Sequence, residues 1–242
     1  MTTIAFDARR MIEQLKRFGK ANKDFLVTGN QAFDRLANHL DVAMAAKEAE
    51  FRWGTRVSGI DQPIVTKPSK DWKGQGSHRP IHASFSFGWE CRRPDLKANR
   101  LLVANGATEI SFIDEGETGG GSSTCFHFDL CEGGNDTGSG HPMFHTQFVG
   151  AVPDIPRLPS FLVHPVDAME WALMDCFQAR WRSHIKATTT RSVLGGHATA
   201  QHFRVSSALN YWKQRVDAER GFPLLSFQKR MVSPMDLDAP PV

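Results

Sequence analysis

The sequence predicts an α+β protein: an antiparallel meander of about five strands over residues 81–150, flanked by N-terminal helices and two C-terminal helices. Three observations carry this expectation. Residues 81–91 alternate without a break, with Ile81, Ala83, Phe85, Phe87, Trp89 and Cys91 on one parity and His82, Ser84, Ser86, Gly88 and Glu90 on the other. Strand side chains point to opposite faces with period 2, so one face is buried and one is wetter. The same grammar returns over 108–115, 124–131 and 143–150, each bounded by glycine-rich turns. On either side, apolar residues fall at helical spacing: Met11, Ile12, Leu15 and Phe18 before the sheet, and Met169, Leu173, Cys176 and Phe177 after it.

Along the chain, the first helix is expected over 6–20 and the second from an Asn30 N-cap to about Phe51, with Phe33, Leu36, Ala37, Leu40 and Met44 as its stripe. Residues 60–80 carry Pro63, Pro68, Gly74, Gly76 and Pro80, too many breakers for a helix or a central strand, and read as a long basic connector around Trp72. Asn105-Gly106 between apolar runs is a strong hairpin signal, because a type I′ turn needs positive φ at both central residues. Pro165 suits the first turn of a helix following His164. Residues 187–196 read as a Thr-rich linker. The last helix is expected over 197–219, with Val205, Leu209, Trp212 and Val216 facing inward, and the segment from Ser233 as a loose tail. All of 1–232 is expected to form one domain.

Composition excludes several classes. No apolar run approaches the ~20 residues that span a bilayer, and the N-terminus lacks the basic-then-apolar order of a signal peptide. Cys91, Cys125, Cys131 and Cys176 include no Cys-x-x-Cys pair and form no disulfide framework, which fits a reducing cytoplasm. A phosphate loop, a Gly-x-Ser-x-Gly elbow and a His-Glu-x-x-His motif are all absent.

Charge layout is the more telling feature. Residues 101–156 contain no Lys or Arg but eight acids, whereas 177–216 contain no Asp or Glu and seven cations: Arg180, Arg182, Lys186, Arg191, Arg204, Lys213 and Arg215. Trp181, Phe203, Tyr211 and Trp212 are interleaved with them. Cations neutralise phosphates and flat rings stack on unpaired bases, so this segment points to nucleic acid or an acidic partner protein. The favoured expectation is a non-catalytic binding module of a bacterial multi-component system, with Arg180, Trp181, Arg182, Lys186, Arg191, Arg204, Lys213 and Arg215 as its binding residues.

The alternative is a metal-dependent hydrolase, a phosphodiesterase or nuclease-like enzyme with a site on the acidic sheet. In 124–131 the parity that buries Phe126, Phe128 and Leu130 leaves His127 and Asp129 on the other face; in 143–150 His145 and Gln147 share a face. If those faces match when the strands pair, His127, Asp129 and His145 become candidate ligands for a divalent metal. His141 and His145 cannot share one ion, because i and i+4 on a strand stand ~13 Å apart.

Overall fold

In the computed structural model, which describes residues 4–57, 60–72, 79–114, 123–131, 144–149, 157–160, 164–221 and 235–238, the chain is α+β. It begins with a strand, β1 (Ile4–Asp7), not a helix. The carboxylate of Asp7 accepts from the backbone N–H of Arg10 at 3.0 Å, and this N-cap fixes the start of α1 (Ala8–Asn22) after the strand has ended. α1 packs its Met11, Leu15 and Phe18 stripe against α2 (Gln31–Ala45). Gly19 lies at the contact, where a Cβ would come within 2.6 Å of Phe33 Cβ, so it serves close helix approach. α2 stops earlier than its sequence suggests. Lys47 takes a left-handed φ of 57°, and the chain turns into β2 (Glu50–Gly54).

A small hairpin, β3 (Arg56–Val57) with β4 (Ile60–Asp61), and a short β5 (Ile64–Val65) follow. The connector is thus partly structured, since β5 and Ser69 both pair with the next strand. That strand is β6 (Ile81–Arg92), and Ala83, Phe85, Phe87, Trp89 and Cys91 are all buried along it.

β7 (Arg100–Asp114) runs straight through Asn105-Gly106, where the sequence predicts a hairpin. Gly106 has another role: a Cβ there would meet Trp89 Cδ1 at 2.4 Å, so only glycine lets the indole lie across the strand. A register shift at Glu90/Cys91 leaves Ala104 as the extra residue of a bulge. β8 (Ser123–Cys131), β9 (Phe144–Val149) and β10 (Arg157–Pro159) complete the meander. Residues 115–122 and 132–140, glycine-rich in sequence, and His141 lie outside the described residues.

α3 (Pro165–Lys186) buries Met169, Leu173, Cys176 and Phe177 and lays Trp171 against Phe112, Phe126 and Phe128, with ring centroids 5.1–5.8 Å apart. Where a linker was expected there is α4 (Thr188–Leu194), before α5 (His197–Ala218). The inward face of α5 also differs. Leu209 is 53% exposed and Val205, Trp212 and Val216 are half-buried, while His197, Arg204 and Ala208 are buried. Nor is the segment from Ser233 loose throughout: β11 (Met235–Asp236) pairs in parallel with β1, and Met235 and Leu237 are buried. Among the described residues the large sheet has nine strands, antiparallel except for that pair, and no described helix is long and apolar enough to cross a membrane.

The start of α3 is pH-sensitive. His164 is its N-cap, accepting from the Val166 N–H at 3.2 Å through Nδ1, which must be unprotonated to do so. Burial, then the nearby Arg204 and His197 charges, hold its pKa well below the usual value of 6.5. The unfolded chain takes up a proton near pH 6.5 that the folded chain refuses, so stability is retained above that pH and falls below it, at up to about 1.4 kcal/mol per pH unit. Denaturant midpoints should drop between pH 7 and pH 5. A His164→Asn variant, which keeps a capping acceptor, should show a shallower drop; an identical slope would remove His164 as the cause.

Candidate functional site

Strand parity sets the sheet face turned away from α1, α2 and α3. Antiparallel pairing aligns Ser84, Ser111 and Cys125 in one row, Ser86, Glu109 and His127 in the next, and Gly88, Ala107 and Asp129 in a third. β9 extends these rows, placing Gln147 opposite His127 and His145 opposite Asp129. His127 and Asp129 thus share the outer face of β8 and lie in register with Gln147 and His145 of β9. The side chain of His145 lies outside the described part of the structure.

Among the described residues the rows bring together a trio that overlaps the expected one at His127. Glu109, Cys125 and His127 each offer one ligand atom, and these atoms lie within 4.8 Å of one another. Glu109 is the centre: one carboxylate oxygen accepts from Arg56 Nη2 at 3.0 Å and lies 3.6 Å from His127 Nε2, and the other accepts from the Ser111 hydroxyl at 3.4 Å. Ser111 Oγ is also 3.3 Å from Cys125 Sγ. Burial, and then the Glu109 charge, push the Cys125 thiol up, so it is a poor free nucleophile; the thiolate needs a cation beside it. Of the predicted ligands only His127 belongs to the trio. Asp129 stands two residues on, about 7 Å along the strand. Cys125 shares the parity of His127 and was readable in the sequence; Glu109 needed the β7–β8 register.

A cleft of about 570 Å³ adjoins the trio, floored by Gly88 and Ala107 and walled by Arg52, Arg56, Glu90 and Asp129. Glycine and alanine leave the floor open, and paired charges line the walls. Glu90 is held below the usual carboxylate range by a hydrogen bond from Asn105 at 3.0 Å and another from Arg52 at 2.7 Å.

The predicted basic face is dispersed. Arg204 and Trp181 are corrected outright, being 3% and 2% exposed. Arg204 donates to Asp167 through Nε at 2.6 Å and through Nη2, and to Gln14 Oε1 at 3.0 Å. Trp181 packs between Phe18, Phe25 and His184. Arg180 is exposed but stacks over Phe25 and Phe177 and pairs with Asp71 at 3.7 Å. Lys213 pairs with Asp217, Arg215 lies over the Tyr211 ring, and Arg191 donates to the Lys186 carbonyl. Arg182 and Lys186 are exposed. The compensating acids lie outside the acid-free window: Asp217 one residue past its end, Asp167 on the first turn of α3, and Asp71 far back in the connector.

A second cluster, which sequence reasoning missed, is buried between α3 and α5. Asp167, Glu170 and His197 also place ligand atoms within 4.8 Å of one another. Here the carboxylates are already committed, Asp167 to both ends of the Arg204 fork and Glu170 to His197 Nε2 at 2.9 Å and Gln201 Nε2 at 2.6 Å. This is a satisfied ion-pair network, and a metal would have to expel Arg204. The chain matches no known protein family, no characterised protein and no solved structure.

Proposed function

We propose that the chain is a metal-dependent hydrolase whose Glu109, Cys125 and His127 hold a divalent ion, zinc first, at the edge of the sheet-face cleft. The observation behind this reading is the convergence of an oxygen, a sulfur and a nitrogen ligand within 4.8 Å on a half-exposed face. Zinc takes that mixed set tetrahedrally, and three protein ligands leave a fourth position for water, whose pKa the ion lowers. Arg56 is the competing cation. It is 48% exposed on its own short hairpin, so leaving Glu109 for water costs it little. Arg52 and Arg56 favour a phosphate ester in the cleft, because a guanidinium fork matches phosphate oxygens.

Because the Cys125 thiol must lose its proton to bind, zinc affinity should rise with pH. Purified protein should take up one zinc per chain and hydrolyse bis(p-nitrophenyl) phosphate. Cys125→Ser and His127→Ala should each weaken zinc by more than the ~10–100-fold that a lost outer-shell partner costs. Asp129→Asn should keep zinc but slow hydrolysis. Stoichiometric zinc on the Cys125→Ala/His127→Ala double variant sinks the site.

Polyanion binding through the helices is a second reading, favoured by the exposure of Arg182 and Lys186, for which no ion pair forms among the described residues. Salt-dependent nucleic-acid binding abolished by Arg182→Ala/Lys186→Ala, in a protein that takes up no zinc, would select it.

A further inference from the structure

We propose a second site, on the helical side of the molecule, that binds a phosphate-sized oxyanion independently of any metal on the sheet. A notch of about 130 Å³ lies between α1 and the α4–α5 junction, bordered by Arg10, Glu13, Gln14, Arg17, Gly196 and His197. Arg10, Gln14 and Arg17 stand at i, i+4 and i+7, so one face of α1 presents all three.

Arg10, Gln14 and Arg17 supply donors to this lining, and its one carboxylate, Glu13, is paired with Arg17. Gln14 gives its amide oxygen to Arg204 at 3.0 Å, which fixes the amide and leaves its NH₂ as the free end. Arg204 is itself locked by Asp167, so Gln14 is oriented by a buried residue. Arg17 is accommodated by Gly195: its Nη1 lies 2.7 Å from where a Cβ would stand, and Gly195 has a φ of +57° that favours glycine. The His197 ring is held in place by Glu170.

The arginines are tethered without being consumed. Arg17 meets Glu13 at 3.6 Å with both side chains more than half exposed, and Arg10 meets Asp238 at 3.9 Å with the arginine 64% exposed. Such exposed pairs are weak and exchange readily for a better acceptor. A phosphate offers one, since each guanidinium can engage two of its oxygens. The volume sets the ligand's size. At about 130 Å³ the notch is well below the ~300 Å³ at which drug-sized ligands begin, so it takes a free oxyanion or one phosphate group projecting from a larger molecule.

Calorimetric titration of the full chain with inorganic phosphate and with adenosine 5′-monophosphate, at low salt, tests this. Wild type should bind phosphate saturably at one site per chain, besides any that the Arg52/Arg56 cleft takes up. Equal affinity for the two probes identifies the free ion as the ligand, and tighter binding of the ester identifies a carried phosphate group. Arg10→Ala/Arg17→Ala should lose about tenfold or more in affinity. Lys16→Ala, an exposed cation of the same helix that does not border the notch, should stay within about twofold. Phosphate should also shift the His197 ring resonances. Absence of saturable binding, equal losses in the Lys16 and double-arginine variants, or an unmoved His197 would overturn the proposal. Cys125→Ala/His127→Ala should leave phosphate binding unchanged, which separates this result from the fate of the sheet-face metal.

Discussion

Arg204→Ala is expected to lower the unfolding free energy by about 3–5 kcal/mol, because it strands a buried carboxylate. Arg204 and Asp167 are 3% and 5% exposed and share a two-pronged contact, so water cannot replace the guanidinium that is removed. Glu170 stands within 4.8 Å of Asp167, and its charge makes an unpaired Asp167 costlier still. In a chain of this size the melting temperature should fall about 2–4 °C for each kcal/mol. Arg204→Lys should rescue little, since a point charge cannot reproduce the fork. Adding Asp167→Asn to Arg204→Ala should recover part of the loss by removing the orphaned charge. Urea melts at pH 7 decide the matter, and a loss below about 1 kcal/mol would mean that the pair is open to solvent.

Counting charges along the chain hid this pair. The window 177–216 lacks acids, yet helices put neighbours three or four residues apart in sequence, or on a different helix altogether, into contact. Asp217 reaches back one turn to Lys213, while Asp167 reaches across from α3 to α5. A one-dimensional window sees neither. The stripe on α5 misled for a related reason: Val205 and Leu209 make a plausible apolar face, but the partner surface on α3 offers Asp167 and Glu170, and the helix turns His197 and Arg204 toward them.

The sheet was more legible because period-2 alternation is local and survives burial. Every odd residue from Ala83 to Cys91 is buried, as its parity requires. Parity also placed His127 and Asp129 on the shared outer face. It could not supply Glu109, which depends on the β7–β8 register, and register is set by contacts between strands. Asn105-Gly106 shows tertiary packing overriding a turn signal, because the ring of Trp89 uses the missing side chain. The end of α2 was illegible for the opposite reason: the left-handed residue after it is Lys47, where glycine would have marked the stop.

Phe87→Ala is expected to cost about 3–5 kcal/mol and to be the most damaging truncation in the sheet. Phe87 is 1% exposed and stands at the centre of an aromatic group, 5.1 Å from Trp53, 5.9 Å from Trp89 and 5.8 Å from Phe85 between ring centroids. Its neighbours cannot close the gap. Trp53 is pinned by an Nε1 hydrogen bond to the Leu36 carbonyl at 3.0 Å, and Trp89 lies across Gly106. The backbone there is equally committed, since Thr55 Oγ1 is hydrogen-bonded to both the amide and the carbonyl of Phe87, and Gly54 packs on that carbonyl. A cavity therefore persists, and the cavity adds to the lost transfer energy. Ser86→Ala, one residue away on the outer face, should cost about 1 kcal/mol or less. Phe128→Ala should fall between them, because Phe128 is 8% exposed and packs mainly on Trp171 at the helical face. Thermal and urea melts of the three variants should rank in that order; a Phe87→Ala protein as stable as Ser86→Ala would mean that the alternation of β6 does not face the core.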